Sequence, residues 1–124
     1  MKITTFDPMI ISSKAEDIIE LFGELGFKKT HAPVTSVEAG DFPSYRMKDE
    51  NGFHVDVADA KQVERDMTFI RMNVDDFEDA YNILTAHGFK NTKGDRIIDT
   101  KSAKAATLAS PSGFIIVLVK HIKK

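Results

Sequence analysis

The chain has 124 residues, 42% of them hydrophobic and 29% charged, with a formal net charge of −2 at pH 7. That balance fits one globular domain large enough for a real core, and it carries no basic excess of the kind that marks a nucleic-acid partner. There is no cysteine, which excludes disulfides and thiolate chemistry and makes a reducing, cytoplasmic setting the expected one.

The opening Met-Lys-Ile-Thr-Thr-Phe-Asp-Pro lacks the apolar run of a signal peptide. No stretch approaches the roughly 20 apolar residues of a membrane helix. Residues 2–11 alternate as a strand, with Phe6, Pro8 and Ile10 on one face and Met9 and Ile11 on the other. Pro8 has no amide hydrogen for a ladder, so an unpaired edge is expected there. Ser13 and Glu16 have capping-box spacing, and the helix they open sets Ala15, Ile18, Ile19, Phe22 and Leu25 in one stripe before Gly26 ends it. A short strand from Phe27 to His31 leads into a loop from Pro33 to Ser44, punctuated by Pro33, Gly40 and Pro43. Strands over Tyr45 to Lys48 and Phe53 to Ala58 flank the turn Asp49-Glu-Asn-Gly52, and the polar run Asp59 to Asp66 reads as a linker.

The second half begins with a strand over 67–74, where Ile70, Met72 and Val74 share one face and Phe69, Arg71 and Asn73 the other. Asp75 and Asp76 stop it and supply carboxylates to the free amides of a helix over 76–87, whose buried stripe is Phe77, Ala80, Tyr81 and Leu84. Strands over 89–92, 97–109 and 114–119 follow, the last after the turn Ser110-Pro-Ser-Gly113.

The two halves repeat one another. Phe6 meets Phe69, Ile11 meets Val74 and Ser13 meets Asp76; Gly26-Phe27-Lys28 meets Gly88-Phe89-Lys90, and Gly52-Phe53 meets Gly113-Phe114, at an offset that drifts from 63 to 61. Each half reads as βαβββ, over about 1–60 and 66–124, the two making a single domain of 1–124. Such a unit has one helix for one sheet face, and its other face needs a partner. The expected fold is therefore α+β: two βαβββ modules forming a curved mixed sheet around a central cavity, with the helices outside.

Three pieces, Val74-Asp-Asp-Phe-Glu-Asp-Ala-Tyr81, Leu25-Gly-Phe27 and Ser110-Pro-Ser-Gly-Phe114, give the chain a resemblance to the vicinal oxygen chelate superfamily, which includes glyoxalase I, extradiol dioxygenases and bleomycin-resistance proteins. The third piece is similar to the family's Asp-Pro-Asp-Gly turn, with serines in place of both acids. The resemblance implies metal ligands on the first and last strand of each half, and those places hold Phe6, Asp56, Phe69 and Val117. Three of the four offer no donor, whereas a catalytic site needs about three protein ligands. His54 shares a strand face with Asp56. The two are read as a hydrogen-bonded pair lining the cavity in preference to a two-ligand fragment, and no metal or cofactor is expected.

On this reading the concave side receives Phe6, Ile10, Phe69, Arg71, Asn73, His54, Asp56, Ile115, Val117 and Val119. Phe53, Val55, Val57, Phe114, Ile116 and Leu118 face the helices. A largely apolar lining with a few polar groups is the composition of a small-molecule site. Phe6 and Phe69 either stack on a planar ligand or fill the hollow; Arg71 either pairs with Asp56 or points to solvent. Tyr45 and Met47 suit the interior better than Arg46 and Lys48. Phe42 and Tyr45 flank Pro43 in what is read as a surface turn in preference to a lid or an arm. His87 suits a helix C-terminus, and His31 and His121 receive no role, the latter lying in a basic, solubilising tail.

The ligand-binding set is thus Phe6, Tyr45, His54, Asp56, Phe69, Arg71 and Val117, with no catalytic residue identified. The expected function is small-molecule binding of the glyoxalase or bleomycin-resistance type, sequestering a drug or metabolite without metal-dependent catalysis, by a homodimer with no nucleic-acid or membrane partner. The alternative is a divalent-metal-dependent lyase, isomerase or dioxygenase using His54 and Asp56. A third reading is a scaffold whose pocket has closed.

Overall fold

The computed structural model describes residues 1–30, 34–36, 42–101 and 103–121. In chain order its elements are β1 (Ile3–Ser12), α1 (Ala15–Glu24), β2 (Lys28–Lys29), β3 (Val34–Ser36), β4 (Phe42–Lys48), β5 (His54–Asp59), β6 (Met67–Val74), α2 (Phe77–Ala86), β7 (Lys90–Asn91), β8 (Ile98–Asp99), β9 (Ala103–Ala109) and β10 (Ile115–His121). The chain divides into two compact units, one of Asp7–Phe69 and one of Met1–Phe6 with Ile70–Lys124.

The first unit has the strand order β2-β4-β5-β1, with β3 beside β4. β1 and β5 run parallel, and the other pairs are antiparallel. The second has the order β6-β10-β9-β7, with β8 beside β9 and the parallel pair again formed by its opening and closing strands. Each is a mixed sheet with one helix, so the α+β class and the repeated βαβββ grammar stand. β3 and β8 are short additions to it. The long loop expected over 33–44 lies largely outside the described residues, as do His31 and the tail after His121. Within that loop 34–36 pair with β4, which draws the start of β4 forward to Phe42. The strand expected over 97–109 is divided, because Thr100 turns the chain by accepting the Ala103 amide on its hydroxyl at 3.1 Å.

Apolar periodicity explains both helices. Ala15, Met47, Val55 and Val57 form one buried cluster, joined by Ile10, Ile18, Ile19, Phe22 and Phe27. Leu25, expected in that stripe, caps the C-terminus instead and is 63% exposed. The capping box is also corrected. Lys14 occupies the N-cap with no side-chain hydrogen bond. The wholly buried Ser12 takes over the entry to the helix, accepting the Lys14 amide at 3.0 Å and donating to Asp66 Oδ1 at 2.7 Å. For α2, Asp76 caps as its position suggests, accepting the Asp79 amide at 3.1 Å. Phe77 and Ala80 are buried against Met72, Val74, Leu108 and Leu118, and the Phe77 ring stacks on Tyr81 with centroids 5.8 Å apart. Gly88 ends that helix region at φ +89°, and a Cβ there would also lie 3.0 Å from Pro111 Cγ, so conformation and space both call for glycine.

Surface charge around α2 gives the fold an acid dependence. The Lys104 ammonium donates to Glu78 Oε1 at 2.6 Å, which holds the Glu78 carboxyl below its ordinary 4.5. The Lys2 amide, donating at 2.6 Å, does the same to Asp75, ordinarily 3.8. A carboxyl with a depressed folded value contributes stability above its unfolded value and loses it as pH falls through the lowered one. Melting temperature is therefore expected to decline as pH is taken below about 4.5, with a shallower decline in Glu78→Gln, as a pH series of thermal melts would read. Lys104 lies above its ordinary 10.5 because of Glu78, so its contribution is complete below that value and fades only as pH rises through the raised one.

Among the described residues, no helix is long and apolar enough to cross a membrane.

Candidate functional site

In the first unit Met47, Val55 and Val57 pack against α1. Alternation therefore turns Ser44, Arg46 and Lys48 of β4, and His54, Asp56 and Ala58 of β5, to the opposite face. β1 joins in the parallel register Met9↔Asp56 and Ile10↔Val57. Asp7, Met9 and Ile11 thus share the face of Asp56, while Ile10 lies with the helix cluster.

Three expectations change as a result, the first being Ile10, which leaves the concave side for the helix cluster. Phe6 has the parity of Ile10, away from the face of Asp56, and is 63% exposed. Tyr45 stands opposite Val57 on the helix side, with Lys29 Nζ 5.0 Å from its ring centroid. The cause is the offset between the halves. Matching Phe6 to Phe69 sets it at 63, but the helix starts Ala15 and Phe77 stand 62 apart, as do Met9 and Arg71, the opening-strand members of the parallel pairs Met9↔Asp56 and Arg71↔Val117. The residue equivalent to Phe69 is therefore Asp7.

This face holds two buried carboxylates, Asp7 at 2% and Asp56 at 0% exposure. Arg46 sits directly across the ladder from Asp56 and donates from Nε to Oδ1 at 3.3 Å. A carboxylate withdrawn from water needs such a charge-assisted partner. Sequence reading placed Arg46 outside the interior; counting back from the turn at Asp49 sets it opposite Asp56.

In the second unit Ile70, Met72 and Val74 face α2 with Ile116 and Leu118. Arg71 and Asn73 of β6 and Ile115, Val117 and Val119 of β10 take the other face, as expected, and Phe69, the residue of β6 just before this unit, has the parity of Arg71. Val117 and Val119 are fully buried. Arg71, 6% exposed, donates from Nε to Asn73 Oδ1 at 3.3 Å and lies with Nη2 3.4 Å from His121 Nε2. The alternation Val117, Val119, His121 was the available signal for this histidine, obscured by the basic residues around it.

The divalent ion that the family resemblance implies does not fit these side chains. In the second module the corresponding positions are Phe69 and Val117, which carry no donor atom. In the first they are Asp7 and Asp56, and Asp56 is already engaged by Arg46. Among the described residues no group of three His, Cys, Asp or Glu side chains is placed to hold one ion.

No protein-family model matches the chain, and neither does any curated protein sequence. Solved structures do. Glyoxalase I from Zea mays is similar at 19% identity and a TM-score of 0.70 over 98% of this chain and 44% of that one. Methylmalonyl-CoA epimerase from Mycobacterium tuberculosis is similar at 14% identity and 0.69, over 98% and 90% of the respective chains. A glyoxalase/bleomycin resistance protein/dioxygenase superfamily member from Vibrio splendidus is similar at 13% identity and 0.66, over 98% and 100%. The chain spans less than half of the maize glyoxalase. With the repeated βαβββ units and their parallel opening and closing strands, these likenesses establish that the chain has the vicinal oxygen chelate fold.

Proposed function

We propose that the chain binds a small molecule on a sheet face turned away from a helix and sequesters it without metal-dependent chemistry, in the manner of the glyoxalase and bleomycin-resistance type. The observation that supports this most is what stands at the family's ligand positions: Phe69 and Val117 in one module, and in the other an Asp56 held by Arg46. The remaining groups are suited to orienting a ligand. They are Asp7, Arg46 and His54 in the first unit and Arg71, Asn73 and His121 in the second, set among apolar residues such as Met9 and Val117. Phe69 adds an aromatic face for a planar ligand. Asp7 and Arg46 take the places assigned by sequence to Phe6 and Tyr45. The same reading makes the protein a cytoplasmic homodimer.

Calorimetric titration with a panel of planar compounds, cationic and anionic, tests this. Saturable heat from at least one, abolished by His54→Ala, is expected; no heat from any of them contradicts it.

A second reading, a divalent-metal lyase, isomerase or dioxygenase, draws on one observation. Asp7 joins His54 and Asp56 on one face, although the three are not placed together around one ion. It requires Asp56 to exchange Arg46 for an ion.

A further inference from the structure

We infer that the first unit carries a subsite for the anionic end of its ligand, a phosphate or carboxylate group, at the sheet edge where β2 meets β4. This rests on the reading that this unit binds a small molecule.

Lys28 on β2 stands directly opposite Lys48 on β4, and Lys48 stands opposite His54 on β5. Cross-strand partners share a face, so the three basic side chains form a row on the face of Asp56, and like charges in that arrangement repel. Two other lysines of this chain are paired, Lys61 with Asp59 at 3.2 Å and Lys104 with Glu78. Among the described residues neither Lys28 nor Lys48 makes an ion pair. The fold does not require the doubled charge, because the second module sets Lys90 opposite Ala109 at the equivalent place.

A groove of about 590 Å³ opens here, lined by Lys28, Lys29, Thr30, Lys48, Asp49 and Glu50 among others. Its volume is that of a small-molecule site. The acids do not cancel the lysines. Asp49 Oδ1 receives the amides of Asn51 at 3.0 Å and Phe53 at 2.8 Å within its own turn, so Asp49 offsets the lysine charge only through space and makes no ion pair with Lys28 or Lys48. An anion bridging Lys28 and Lys48 would relieve their repulsion and gain two charge-assisted contacts.

Amide-resolved NMR titration with sodium pyrophosphate, and separately with sodium citrate, tests the subsite and tells phosphate from carboxylate preference. Saturable shifts at Lys28, Lys48 and His54 are expected with at least one anion. Binding should weaken at least tenfold in Lys28→Gln/Lys48→Gln, whose exposed substitutions leave the melting transition in place. No saturable shift with either anion, or equal affinity in the double variant, overturns the assignment. If both anions fail while an uncharged or cationic compound still shifts the amides around Asp56, the subsite alone falls; if nothing binds, the proposed function falls with it.

Discussion

Arg46→Ala is expected to destabilise the protein by about 2–3 kcal/mol, because it opens a buried ion pair from one side. The asymmetry of the pair sets the size of the effect. Asp56 is wholly inaccessible, while the Arg46 side chain is 29% exposed. Removing the guanidinium takes away the cross-strand donor that compensates a desolvated carboxylate. The figure falls below the upper range for opened buried pairs because Arg46 keeps some access to water. Asp56→Ala in the Arg46→Ala background should return part of the loss, since the buried carboxylate that has lost its Arg46 donor is then removed as well. A double-mutant cycle by urea unfolding reads both terms. A loss under about 0.5 kcal/mol for Arg46→Ala would put the pair with exposed salt bridges and remove its claim to shape the site.

Phe77→Ala should cost more, about 3–5 kcal/mol. Phe77 is 1% exposed at the start of α2, packs into the cluster of Met72, Val74, Leu108 and Leu118, stacks on Tyr81, and lies 5.9 Å beneath the Lys104 ammonium. Truncation leaves a cavity that strands β9 and β10 cannot collapse to fill. Phe69 provides the comparison. It is only partly buried, on the sheet face away from α2, and Phe69→Ala should cost far less. If the two variants lose equal stability by the same unfolding assay, Phe69 is a core residue and the closed-scaffold reading gains over ligand binding.

The stretch from Met67 to Gly88 was the most legible part of the chain. Its strand alternates cleanly, Asp76 is the cap its position suggests, and the apolar stripe of α2 has no competing reading. Legibility failed where a local resemblance outweighed a longer one. The Phe6–Phe69 match shifted the first strand by one residue, and in a strand one residue exchanges the two faces. The glycines Gly26 and Gly88 already held the offset of 62 that places Asp7 beside Met9 on the face of Asp56. Tyr45 shows a different limit. Hydrophobicity marked it correctly as inward, but a sheet with a helix on one side has two inward directions, and only the pairing with Val57 decides between them. Ser13 and Glu16 had the right spacing for a capping box, yet Ser12, one residue earlier, made the tertiary bond to Asp66 that decided where the helix begins. Arg46 and His121 were masked by charge, since a charged residue reads as exposed until its partner across a ladder is known.

The most direct test is a melting scan of metal-stripped protein with nickel, zinc, manganese and ferrous iron, accompanied by elemental analysis of the protein as purified. A ligand at a hundred times its Kd adds about 2.7 kcal/mol to a native state that binds it. With Phe69 and Val117 at the donor positions and Arg46 on Asp56, the transition is expected to stay in place with every ion and the purified protein to hold no stoichiometric metal. A stoichiometric ion, or a rise in the transition that Asp56→Asn removes, would contradict this and return the protein to metal-dependent chemistry.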